Sequence, residues 1–498
     1  MKKNIITFIT IITVFSALSI SCSDDFVDRV PPYSIDSENY FNSKEDYEKA
    51  LIGAYDLLHA TYVNVMLGEI ASDNTLAGGG SATDVVGFQQ IDDMIHTPVN
   101  ANLKNIWDWM FAGVGRCNYI LEFKDKTDFE GKEQIIAQAR FLRAYYHFEL
   151  VKWFGGIPLT GDVRFKVGDE LTVPRATVEE VYAVIESDLI FAIENLSPEA
   201  QPSGRATIGA AQALLGKAYL YQKKYTQAAS TLELVITSGS YNLVQDYSTI
   251  FENEHENNIE SVFEIQYTDA QGASFDCLQC SEGNVAVGFN GPRTYSGPLF
   301  DSGYSFNVPT AETYAAFDED DNRRDIAILN MPAWAAANTD FDDGEGIKFG
   351  VGNEHTGFFN RKYIPRQGDQ NLGDDKLTNP NNYRSIRFAD VLLMAAEANS
   401  AGGIDEAKAR EYLNRVIRRA FGDNDHDVTA SGPGLTDLIL NERRLELVGE
   451  GHRFFDLVRT GKAAGTIPGF VAGKHELFPI PFEEIEFSNG NWGQNPQY

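Results

Sequence analysis

Apolar side chains recur at three- and four-residue steps over 44–60, 103–124, 132–154 and 177–196. That period is the signature of helices with one buried face. Thr177 and Glu180 form a capping-box pair that fixes a helix start. In 206–239, Ala, Leu and Tyr fall at helical intervals, stop at Gln222-Lys223-Lys224 and resume, which predicts two antiparallel helices. Ala211, Gly216, Ala218, Ala228 and Ala229 let them approach closely, while Leu215, Tyr219, Tyr225 and Leu232 fill the seam. The length suits a tetratricopeptide-like hairpin, whose period is ~34 residues. A second hairpin is predicted over 388–420, with Gly402-Gly403 at the turn and Asp405 capping its second helix. One further helix is predicted over 436–459.

Between about 241 and 385 the texture changes to Gly, Asn, Asp, Pro and scattered aromatics, and only Ser261–Tyr267 alternates as a strand does. The predicted fold class is mainly α: tetratricopeptide-like helical hairpins (α/α) with a large irregular loop-rich insert and a few short strands. The helical scaffold covers about 40–240 and 386–460. Long ordered loops on a rigid scaffold are where binding residues concentrate.

At the N-terminus Lys2 and Lys3 precede an apolar run, Ile5 to Ile20, that ends in small residues before Cys22. Residues 1–21 read as a lipoprotein signal peptide, with lipidation at Cys22 as the anchor, and Ser23-Asp24-Asp25 resembles the acidic export signal that sends some lipoproteins to the outer leaflet. Two or more acyl chains on Cys22 make a stable anchor. Residues 22–498 read as a single body, because no Pro/Ser-rich linker interrupts them. The formal charge of −31 argues against nucleic acid as a partner. Cys277 and Cys280 are either a loop disulfide or two free thiols, and Cys117 is a buried structural residue.

Several separated segments, in order, resemble the SusD/RagB family of outer-membrane lipoproteins. They are Ala139–Ala144 with His147–Pro158, the hairpin at 206–239, Arg387–Glu397, Asn441–Leu447, Gly451–Leu457, Leu477–Pro481 and Gln494–Tyr498. The resemblance implies a helical fold and a place on the cell surface. It also implies a role as lid of a TonB-dependent outer-membrane transporter barrel, delivering captured nutrient to it. The best-known members take glycans. A free-standing surface glycan-binding or adhesin lipoprotein, and a relative with a peptide ligand, are the alternatives. The motif residues Arg143, Asp390, Glu442, Arg443, Glu446 and Asp456 are expected to pair where helices cross.

No catalytic constellation stands out. The chain has no HExxH, GxSxG or GxxxxGK[ST], and Gly113-Val-Gly115 lies inside a helix. No cofactor or metal is expected. Asp318, Asp320, Asp321 and Asn322 begin like a calcium loop, but Arg323 stands where glycine is needed, leaving a solvated acidic turn. For binding without chemistry, Trp334 is the one tryptophan outside a helix or terminal motif, a platform for a sugar face or a ring packed under its own loop. Tyr295, Phe341, Tyr304, Phe358 and Phe359 share its insert. A second patch is Glu69–Asn74 with Gly78-Gly79-Gly80, Asp84, Gln89 and Gln90. The resemblance places a ligand-facing loop there, and Asp73, Asn74 and Gln89 are its candidates. The expected ligand is a neutral oligosaccharide, since the acidic chain repels anions unless Arg293, Arg361 or Arg366 reverses the field locally.

Overall fold

A computed structural model describes residues 39–197, 203–369, 373 and 376–498. Residues 1–21, read above as a signal peptide, and Cys22 lie outside the described residues. The first scaffold segment comprises α1 (Lys44–Asp56), α2 (Tyr62–Ile70), α3 (Val86–Asp92), α4 (Ala101–Glu122), α5 (Lys132–Phe154) and α6 (Val178–Asn195). It closes with the hairpin α7 (Ile208–Tyr221) and α8 (Tyr225–Thr237). Starts are set by side chains that accept from orphan N–H groups. Thr177 and Glu180 form a full capping box, and Asn100 caps α4.

Small residues let neighbouring helices close up. A Cβ on Gly216 would lie 2.5 Å from Leu232 across the α7–α8 seam, and one on Gly113 would lie 2.6 Å from Tyr146 of α5. The second hairpin is α10 (Phe388–Ala401) and α11 (Glu406–Phe421), with the short helix α9 (Met331–Ala337) preceding it in the insert. Asp405 caps α11 by accepting from Lys408 N at 3.0 Å. Helix α10 is buried from Phe388 to Asn399 and packs against α8 and α11, so the core runs through it.

Two of the predicted helices differ from expectation. The stretch 44–60 ends as a helix at Asp56, tightens into a 3-10 turn over Leu57–Thr61, and continues as α2. The stretch 436–459 splits into α12 (Pro433–Glu446) and α13 (Arg453–Arg459). Gly449 and Gly451, at φ +81° and +84°, turn the chain between them and carry Glu450 and His452 into the interior.

The strands are short antiparallel pairs: β1 (Thr75–Ala77) with β3 (Asn307–Pro309), β2 (Ser261–Ile265) with β6 (Tyr383–Arg387), and β4 (Ile328–Asn330) with β5 (Phe358–Asn360). The insert has its own apolar clusters, one of which is built on Tyr295, Phe300, Leu329, Met331, Phe359 and Ile364. Cys277 and Cys280 form a disulfide, and Cys117 is buried.

A buried ionic cluster joins insert to scaffold. Glu446 of α12 accepts from Arg419 (2.6 Å), Arg387 (2.8 Å) and Arg323 (2.9 Å). Arg323 also pairs with Asp321 and Glu442, Arg387 with Glu260 and Glu450, and Lys362 with Glu450. Asp321, expected in a solvated turn, is buried against Arg323, because the chain folds that arginine inward onto α12. The motif pairs form as expected: Arg143 with Asp188, and Arg443 with Asp390 and Asp456. Among the described residues no helix is long and apolar enough to cross a membrane.

Candidate functional site

Two loop regions that are far apart in sequence are stitched together by backbone. After α2 the chain enters β1, which pairs with β3 in the register Thr75 to Pro309. Gly78 N then donates to Phe306 O (3.1 Å), Gly79 N to Ser305 O (2.7 Å), and Asn353 N to Gly79 O (2.8 Å). That approach requires glycine: a Cβ on Gly78 would lie 2.1 Å from Ser305 O, and Gly79 sits at φ +109°. Asp84 closes the turn by accepting from Gly80 N at 2.7 Å, and Arg293 of the insert reaches Asp84 at 3.4 Å.

The stitching leaves a cleft of about 690 Å³ whose walls come from β1, α3, Thr310 and Glu312, Asn353 and Glu354, and the segment 466–469. Asp73, Gln89, Asp92 and Asp93 line it, together with Arg444. The buried hydroxyl of Thr75, also in the lining, has no hydrogen-bond partner among the described residues. A buried hydroxyl left unpaired is costly and marks a place where a ligand or water completes the hydrogen bonding.

The electrostatics favour hydroxyls over anions. Asp73 is clamped by Arg453 (2.7 Å) and Arg444 (3.2 Å). Partial burial raises its pKa, but those guanidinium groups outweigh it and hold the carboxyl below the usual range. Asp92 is the opposite case. Burial, with Asp93 and Glu354 nearby, pushes its carboxyl up to about 7 despite a hydrogen bond from Ala77 N at 2.7 Å. Near neutral pH it therefore alternates between donor and acceptor, which suits a hydroxyl partner.

Asp92 takes up a proton on folding, because its ordinary carboxyl value is 3.8 and its folded value is about 7. Stability from this group is fully present below about pH 4 and falls as the pH rises through 7. Asp92→Asn should therefore match the parent at pH 4 and exceed it at pH 8 by on the order of 1–3 kcal/mol. Thermal midpoints at the two pH values check this, and equal midpoints at pH 8 would contradict it.

The sequence-predicted residues divide into two groups. Asp73 and Gln89 line the cleft. Asn74 is fully buried beneath it, its Oδ1 accepting from Arg444 Nε at 2.8 Å, so it supports the wall from below. Gln89 and Gln90 lie on α3 and not in a loop, and Glu69 is buried within α2. Trp334 lies on α9 and not outside a helix, because Asn330 caps that helix and Pro332 opens it. Its indole N–H donates to the Tyr295 hydroxyl (2.9 Å), and its ring packs on Phe300 (5.3 Å). Tyr295 is buried and donates to Pro298 O at 2.9 Å. Phe341 is half-buried on the turn that follows α9.

The arginines considered as field-reversing are held elsewhere, Arg361 on Asp325 O and Arg366 on Glu252. Sequence reasoning missed Asp92, Asn353, Glu354, Glu312 and Arg444. They come from separate segments, and of them only Arg444 lies in a motif noted above, Asn441–Leu447.

Residues 260–475 match the family described as SusD family, and residues 25–220 match the family described as starch-binding associating with outer membrane. SusD-like protein P2 of Formosa agariphila is 27% identical, with all of both chains covered. A solved laminarin binding SusD-like protein is 33% identical over 92% of this chain and 100% of that one, with a TM-score of 0.83. Surface glycan-binding protein A from Bacteroides thetaiotaomicron, solved in complex with laminarihexaose, is 28% identical over 91% of this chain and 99% of that one, with a TM-score of 0.80.

Proposed function

Because this chain belongs to the SusD family, we propose that at the cell surface it binds a neutral oligosaccharide in the cleft between α3 and the insert and passes it to a TonB-dependent outer-membrane transporter. The observation that carries this reading is the cleft itself. Amides, hydroxyls and one half-protonated carboxyl converge there from two stitched loops, which is the chemistry a polyhydroxylated ligand needs. Its excess of carboxylates disfavours acidic sugars. The similarity to laminarin- and laminarihexaose-binding proteins supports a neutral glucan. The protein is read as a binder without turnover. Lipidation at Cys22 and docking on a barrel belong to the same reading. Membrane fractionation of Cys22→Ala and co-purification in mild detergent test them.

Calorimetry with laminarihexaose is the direct test of the site. Gln89→Ala and Asn353→Ala should each weaken binding by ~3–10-fold, about 0.7–1.4 kcal/mol, the scale of one hydrogen bond. Trp334→Ala distinguishes the two halves of the molecule. A ring that stacks on a sugar is worth ~1–3 kcal/mol, whereas unchanged affinity leaves the cleft as the whole site. No binding of this or any other neutral glucan would overturn the reading, and release of shorter sugars would overturn its non-enzymatic part.

A further inference from the structure

A second concavity shares no residue with the cleft. It is a pocket of about 410 Å³ between α4, the loop after α5, and the C-terminal segment around the short helix α14 (Phe482–Phe487). Trp107 and Phe111 of α4, Phe165, Phe487 and Trp492 line it. Phe165 and Phe487 are exposed at its rim, 40% and 51% accessible, with ring centroids 6.4 Å apart. Cavities of this size, walled by aromatic side chains with few polar groups, are the usual form of a small-ligand site.

The other polar side chains of this wall already have partners within the protein. Trp492 Nε1 donates to Val173 O at 2.9 Å. Asn118 donates to Thr160 Oγ1 and Val163 O and accepts from Arg143 Nη1 at 2.8 Å. Thr160 donates to Val163 O at 2.7 Å. Asp108 and Glu484 share Lys104, at 2.8 Å and 3.2 Å. His147 is the exception. It lines the pocket, is only 4% exposed, and its Nδ1 is buried with no hydrogen-bond partner among the described residues. Burial, with Arg143 close by, pushes the imidazole down to about 3, so it is neutral and offers one N–H and one lone pair.

A sugar is a poor match for such a wall. It would bury several hydroxyls where a single polar side chain is spare, and each unpaired hydroxyl costs affinity. An anion would meet Asp108 and Glu484. We propose that this pocket is a second binding site, for an uncharged, mainly apolar ring that carries one hydrogen-bonding group, held between the aromatic walls with its polar atom on His147. Such a ring is available from a free phenol-like molecule or from an aryl substituent on a sugar.

The experiment uses 4-fluorophenol and 4-fluorophenyl β-glucoside as probes, followed by fluorine NMR with the full chain. Line broadening should give a dissociation constant of about 0.1–1 mM for the phenol, the scale for a ligand of its size. Gly115 lines the pocket, and a Cβ built there meets no atom within 4 Å, so Gly115→Leu starts its side chain in open space and should occupy the pocket. That variant should keep its thermal midpoint and lose the broadening. His147→Phe should weaken 4-fluorophenol by about 5–10-fold and leave fluorobenzene unchanged. Tighter binding of the glucoside than of the phenol identifies a substituted sugar as the source, and binding of the phenol alone identifies a free molecule. Absence of broadening at millimolar concentration, or broadening that survives Gly115→Leu, overturns the proposal.

Discussion

Glu446→Ala should lower the stability of this protein by about 3–5 kcal/mol, the cost of removing one partner from a buried charge set. Glu446 is completely buried and accepts from Arg419, Arg387 and Arg323 together. Burial opposes its ionisation, but those guanidinium groups outweigh it and hold the carboxyl well below its usual range. Alanine would leave three buried cations sharing Glu260, Glu442, Glu450 and Asp321. The sign with pH follows from the depressed value. The contribution is complete above the ordinary carboxylate value of 4.5 and is lost as the pH falls below it. The penalty of the variant should therefore shrink in acid. Urea midpoints at pH 7 and pH 4 check both statements. A loss under about 1 kcal/mol at pH 7 would mean that the neighbouring acids can take over the charges, contrary to the geometry.

Gly78→Val should abolish glycan binding, by at least ~10-fold, or about 1.4 kcal/mol. No ligand contact is needed for this. The added Cβ would meet Ser305 O at 2.1 Å and Val308 Cγ2 at 2.6 Å, and the first of these is backbone that cannot rotate away. The strand end must retreat, taking with it the bonds from Gly78 to Phe306, Gly79 to Ser305 and Asn353 to Gly79 that hold the cleft closed. Apart from α2 and α3 the scaffold helices lie elsewhere, so most of the helical content should survive. Circular dichroism and calorimetry on one sample test this. Intact affinity would show that the loops hold the ligand independently of their stitching.

Much of the scaffold was legible because its signals are local. The period of α11, the capping box at Thr177 and the Gly216–Leu232 seam each depend on residues close in sequence. Helix α2 was missed since Tyr62–Ile70 is buried almost all round, so it has no polar face to set a period. The break after α12 was missed because Leu447-Val448 continue the apolar rhythm into the turn, while Glu450 and His452 look like solvated positions. Of the site, the 69–90 patch and the insert were visible separately. What joins them is main-chain hydrogen bonding, which leaves no mark on side-chain identity beyond the glycines. The indole of Trp334 was visible too, but not the Tyr295 hydroxyl on which its N–H is spent.

The ionic cluster also bears on how such a protein changes its taste. The insert is clamped at Arg323 and Lys362, and again at Arg387 where it rejoins the helices. The cleft residues Thr310 and Glu312 lie between Glu260, which pairs with Arg387, and Arg323, and Asn353 and Glu354 lie between Arg323 and Lys362. Loops strung between fixed anchors behave as exchangeable cartridges. Their sequences can be rewritten, by mutation or by a protein engineer, with the anchors kept and the rest of the chain untouched, so a new specificity need not wait for a new fold.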